Sequence, residues 1–126
     1  MIVLTAFATA IVPWTLHLAN TLPAEHVTPH WDVAWIGFDA FELTAALATI
    51  VALFRQSPRL AIIASCAGTL LLCDAWFDVV TAQPGQELAW AIVSAAVAEV
   101  PLAALCFWLA RDAQRFVGTA TAPSVE

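Results

Sequence analysis

The chain has 126 residues, of which 62% are hydrophobic and 11% charged, with ten acids, four arginines and no lysine, for a net charge of −6. An ordinary soluble domain is about 45–50% apolar and about 25% charged, and a chain this short has too much surface for its volume to hide such an excess. The composition excludes a free-standing soluble globule, a disordered chain and a disulfide-rich secreted module, and it points to one domain in lipid.

A lipid span needs about 20 mostly apolar residues. The first such stretch runs over about residues 2–18 and contains Pro13 and Trp14. No Lys or Arg precedes it, so it reads as a retained helix and not as a cleaved signal peptide. A connector with Pro23 and Pro29 follows. The second span covers about 31–54 and ends at the breaker RQSPR, Arg55 to Arg59. The third covers about 60–82 and ends at AQPGQE. The fourth covers about 88–110, with Pro101 inside it. Residues 1–112 are expected to form the transmembrane domain, and 113–126 a polar tail without periodicity. Short connectors favour an all-α, up-down-up-down four-helix bundle.

All four arginines fall at Arg55, Arg59, Arg111 and Arg115. With four spans these lie on one side of the membrane, and the positive-inside rule makes that side cytoplasmic. Both termini are then cytoplasmic, the chain is a multi-pass protein of the plasma membrane, and the connectors at 20–30 and 82–87 face outward. No nucleic-acid or phosphate-binding motif occurs. Cys66, Cys73 and Cys106 read as small apolar filler.

The acids carry the functional signal. Glu25, Glu87, Asp112 and Glu126 lie in connectors or the tail, and Asp32 at the outer mouth of span two. Asp39, Glu42, Asp74, Asp78 and Glu99 lie within spans, where each carboxylate costs about 2.5–3.5 kcal/mol on insertion scales. Spacing puts Asp32, Asp39 and Glu42 on one stripe with Trp35, Ala46 and Thr49, and Asp74 and Asp78 one turn apart with Ala67, Leu70 and Thr81. Glu99 shares a stripe of small residues with Ala95, Ala103 and Cys106. At 1.5 Å per residue, Asp39 and Asp74 lie about 10–12 Å deep, and Glu42 and Glu99 about 16 Å deep. The acids thus trace a funnel whose base is Glu42 and Glu99. With every arginine at the inner surface, the cluster must hold protons, bind a cation or be wet.

Trp31, Trp90 and Trp108 read as an aromatic belt, while Trp35 and Trp76 admit both a belt role and a role as walls for an organic cation. Pro101 frees a carbonyl near Val97, which reads either as a tolerated kink or as space opened at Glu99. His17 shares the first-span stripe with Pro13, Ala10 and Ala6, and His26 and His30 lie in the outer connector. His17 joins the five acids as a candidate ligand of a metal ion, although no HExxH or ExxH spacing occurs.

The strings WIGFDAFE, SCAGTLLLCDAWFDVVTA and AEVPLAALCFWLA resemble a group of small four-span hypothetical membrane proteins of high-GC Gram-positive bacteria, with LLCDAWFDV the most specific. The resemblance covers about residues 31–110 and implies four spans, with no activity attached. Three readings follow from the residues. In the first, an outward-facing site of Trp35, Asp39, Glu42, Asp74, Trp76, Asp78 and Glu99 binds a cation or protons in a binding or transport role. In the second, an intramembrane enzyme uses Glu42 and Glu99 as acid and base on a lipid or isoprenoid, or the carboxylates bridge metal ions. In the third, the chain is an accessory subunit whose acids meet a partner's basic residues. A homodimer would supply the inner access that transport requires.

Overall fold

The computed structural model describes residues 2–21 and 27–117, with no side-chain description at 2–8, 11 and 18. Glu25, His26 and Glu126 therefore lie outside the described residues. The chain is all-α. Its elements are α1 (Ile2–Thr21), α2 (Trp31–Phe54), α3 (Leu60–Thr81), α4 (Gln86–Ser94), a π-helical turn (Ala95–Glu99), α5 (Val100–Arg111) and a short α6 (Ala113–Phe116). Among the described residues, three continuous stretches are long and apolar enough to cross a membrane: Trp31–Phe54, Leu60–Thr81 and Gln86–Arg111. The last stretch begins two residues earlier than expected, because Gly85 with φ 117° starts the helix.

Two compact units divide the chain, one up to Trp31 and one from Asp32 onward. The first unit is essentially α1, which runs through Pro13 to Thr21. At its end the Asn20 and Thr21 side chains donate to the carbonyls of Leu16 and His17, one turn back.

The second unit is held together by small residues. On α3 the buried side chains are Leu60, Ala64, Ala67, Leu71 and Ala75, a helical stripe broken by Gly68. A Cβ on Gly68 would lie 3.1 Å from Phe107 and 3.2 Å from both the Ala103 carbonyl oxygen and Cys106. Glycine is therefore what lets α3 and α5 approach backbone to backbone, as small residues do between helices in lipid. Ala52, Leu60, Ala64, Leu109 and Ala113 close the end near the arginines as an apolar plug. Most large apolar side chains face outward instead, among them Ile36, Phe41, Phe54, Ile62 and Val97. That inversion is stable only where the surroundings are themselves apolar.

The connector between α2 and α3 explains how RQSPR stops a helix. Ser57 N–H donates to Ala52 O (2.9 Å), six residues inclusive, while Gln56 adopts φ 49°. This is a Schellman-type end with glutamine where glycine is usual, followed by Pro58. Beyond Arg111 the chain does not turn irregular at once, as the polar composition had suggested. A further helical turn follows Asp112, Ala113 is buried, and Phe116 packs edge-on against Trp108 at 5.4 Å. Two apolar contacts thus order a segment whose average composition is polar.

Candidate functional site

Polar side chains in these spans fall into two groups. The hydroxyls are all satisfied within their own helices. Thr44, Thr49, Ser65, Thr69 and Thr81 each donate to the carbonyl four residues back, and Ser94 donates to Ala91 O three residues back. Such back-bonding is how a helix carries Ser and Thr in an apolar medium. Thr49, only 5% exposed on the Glu42 stripe, is therefore a settled structural residue.

The carboxylates cannot use their own carbonyls in this way, because an ionised carboxylate only accepts and a carbonyl is an acceptor too; within its own helix Glu99 has only the Ser94 hydroxyl in hydrogen-bonding reach. Asp39 and Glu42 from α2 lie with Asp74 from α3, each offering an oxygen within 4.8 Å of the others. Asp74 and Asp78 from α3 lie with Glu99 from the π-turn under the same limit. Asp74 belongs to both triads. All five acids singled out in the sequence are thus brought together. Glu42 and Glu99 fall in different triads, and Asp74 stands at the junction. Neither triad contains a histidine or a cysteine.

Two oxygens are buried with no hydrogen-bond partner: Oε1 of Glu42 and Oε2 of Glu99. Each triad contains one of them. Glu99 as a whole is only 9% exposed. Among the described residues the ion pairs are Asp112 with Arg111 (3.7 Å) and with Arg115 (3.6 Å), so none reaches the cluster. Arg55 and Arg59 are exposed at the same end as the apolar plug.

The π-turn is the feature that sequence reasoning missed. Val100 N–H donates to Ala95 O, five residues back, where an α-helix would pair residues four apart. Pro101 supplies the cause. Its ring clashes with the carbonyl of Val97 in a regular helix, and it has no N–H to donate. Widening the preceding turn relieves the clash without breaking the span. Proline two residues after Glu99 is the available signal, and it points to a kink or to space at Glu99 without specifying a π-turn. π-turns recur at functional sites because they re-aim a side chain within an otherwise continuous helix. Here the side chain at the end of that turn is Glu99.

The tryptophans divide. Trp35 is half-buried on the α2 stripe. Trp76 is 67% exposed, and at two residues from Asp74 it stands about 200° around the helix from it. Its position fits the belt, together with exposed Trp31, Trp90 and Trp108. His17 lies on α1 with its ring 5.8 Å from that of Trp14, tilted by 35°. The cysteines are free, and Cys66 is exposed.

Comparison with protein-family models, with curated proteins and with solved structures gives no match. What the site does has to follow from its own chemistry.

Proposed function

We propose that the protein is a multi-pass plasma-membrane protein whose carboxylate cluster, Asp39, Glu42, Asp74, Asp78 and Glu99, binds a cation or protons from the outer side. One observation carries this reading. Five acids from three helix segments converge among helices long and apolar enough to cross a membrane, and no basic side chain among the described residues pairs with any of them. Two carboxylates in contact repel, and apolar surroundings strengthen the repulsion, so the arrangement persists only with positive charge supplied from outside the fold. The orphan oxygens of Glu42 and Glu99 are the acceptors left for it.

The direction of access rests on two supports. The arginine-bearing end is sealed by Ala52, Leu60, Ala64, Leu109 and Ala113. The positive-inside rule makes that end cytoplasmic, which leaves the carboxylates nearer the outer face. From Glu99 at the end of the π-turn to Leu109 on α5 is about 15 Å along the helix, so the plug and the cluster occupy different halves of the bilayer. A site closed toward the inside is a binding site first, and α1 supplies a fourth span in this reading.

Thermal unfolding of the full chain in lipid nanodiscs tests the proposal. Mn²⁺ or Ca²⁺ added to chelator-stripped protein should raise Tm for wild type. Glu42→Gln and Glu99→Gln should each reduce the rise. No cation-dependent stabilisation of the wild type, or an equal rise in both variants, would count against the site.

A further inference from the structure

The cluster has an internal structure that a single bound ion would not need. Its five carboxylates form two overlapping triads, and only Asp74 belongs to both. Each triad contributes one buried oxygen without a partner, Glu42 Oε1 in one and Glu99 Oε2 in the other. Glu99 is more than nine-tenths buried, and the π-turn places it against Asp74 and Asp78. Oxygens bound to one ion by bonds of about 2.4 Å can be no more than about 4.8 Å apart, and each triad separately meets that limit.

Resting on the proposal that this cluster binds cations, we propose that it holds a pair of hard divalent cations, one between Asp39, Glu42 and Asp74, the other between Asp74, Asp78 and Glu99, with the Asp74 carboxylate bridging them.

Charge and donor type select this occupant. Five carboxylates carry five negative charges, so two divalent ions leave one uncompensated and a single ion leaves three. In a medium that charges at several kcal/mol per exposed carboxylate, the smaller residue is favoured. The donors are all oxygen, which suits Mg²⁺, Ca²⁺ or Mn²⁺, whereas zinc and copper sites typically include nitrogen or sulfur donors. Three carboxylates leave coordination positions for water at each ion, as magnesium and calcium sites commonly do. An aspartate has two oxygens on one carbon and can give one to each ion. The spacing fits as well: Asp39 and Glu42 lie three apart on α2, Asp74 and Asp78 four apart on α3, so each pair shares a helix face.

The test is the stoichiometry and magnetic coupling of bound Mn²⁺, measured on the full chain in nanodiscs after chelator treatment, by metal analysis and electron paramagnetic resonance. Wild type should bind two Mn²⁺ per chain with the six-line signal suppressed by coupling. Asp39→Asn and Glu99→Gln should each bind one Mn²⁺ and recover the six-line signal. Asp74→Asn should lose coupling and fall below one ion per chain. Asp39 is exposed, so Asp39→Asn, joined by Asp78→Asn, keeps the test decisive if Glu99→Gln fails to fold by circular dichroism. One Mn²⁺ in wild type, abolished by substitution in either triad, would overturn the pair and leave the single-cation proposal standing. Two ions in wild type that survive every substitution would also overturn it. No binding of either Mn²⁺ or Ca²⁺ to wild type would overturn both.

Discussion

Replacing Glu99 by methionine separates what this side chain does for stability from what it does for binding. Methionine keeps the length and fills the same space without a charge. Glu99 is 9% exposed and its Oε2 has no hydrogen-bond partner. A buried polar atom in that state costs about 1–3 kcal/mol, and a mid-membrane carboxylate about 2.5–3.5 kcal/mol. The two figures overlap in what they count, so they are alternatives and not a sum. Glu99→Met should therefore stabilise the chelator-treated protein by about 1–3 kcal/mol. Cation shifts the balance back toward wild type. At a hundred times Kd a ligand adds about 2.7 kcal/mol to the form that binds it, and the variant loses the ligand set that Glu99 completes. Equilibrium unfolding in nanodiscs, with chelator and then with Mn²⁺, reads both halves. A variant less stable than wild type in chelator would contradict this expectation, because it would mean that contacts within the fold, Ser94 among them, already outweigh the cost of burying the carboxylate. Thr49→Val serves as the comparison: its hydroxyl is satisfied by Ala45 O at 2.8 Å, so the change should show no dependence on Mn²⁺.

Other changes test how the helices are built. Gly68→Ala should destabilise, because contacts at 3.1–3.2 Å must open by a few tenths of an ångström and overpacking costs about 1–3 kcal/mol, against about 1 kcal/mol gained in helix preference. Gly37→Ala meets nothing within 4 Å and should stabilise by about 0.5–1 kcal/mol, so unfolding free energies of opposite sign are expected from the pair. Gln56→Gly should raise stability by about 1 kcal/mol by removing a side chain from φ 49°, read as a shift in the denaturation midpoint. Gln83→Cys, in a background with the three native cysteines replaced, should react with an impermeant thiol reagent added outside cells; labelling only after permeabilisation would invert the orientation.

The sequence displayed the spans clearly because lipid imposes a long apolar run with few exceptions, and α2 and α3 fall where the breakers Pro29, Pro58 and Pro84 place them. The five acids were equally legible, since carboxylates stand out against an apolar background and helical spacing fixes which of them share a face. Their partition was not. Whether Glu42 meets Glu99 or each meets Asp74 depends on the distances between helices; the α3–α5 distance is set by the contact of Gly68 with Ala103, which leaves no periodic trace. The π-turn was hidden for a related reason. Pro101 announces a disturbance, but choosing between a kink and a widened turn requires knowing how tightly Ala103 and Cys106 are held against α3. The order beyond Arg111 was concealed by composition, because Ala113 and Phe116 are two apolar residues among polar ones.

The most direct measurement is an experimental density map of the full chain prepared with Mn²⁺ and recorded at a wavelength where manganese scatters anomalously. Anomalous density in contact with Asp74 and flanked by Glu42 and Glu99 is the expected result. Carboxylates closed directly onto one another, or bound to a basic side chain of the N-terminal helix or of a partner, with no anomalous density between them, would contradict it.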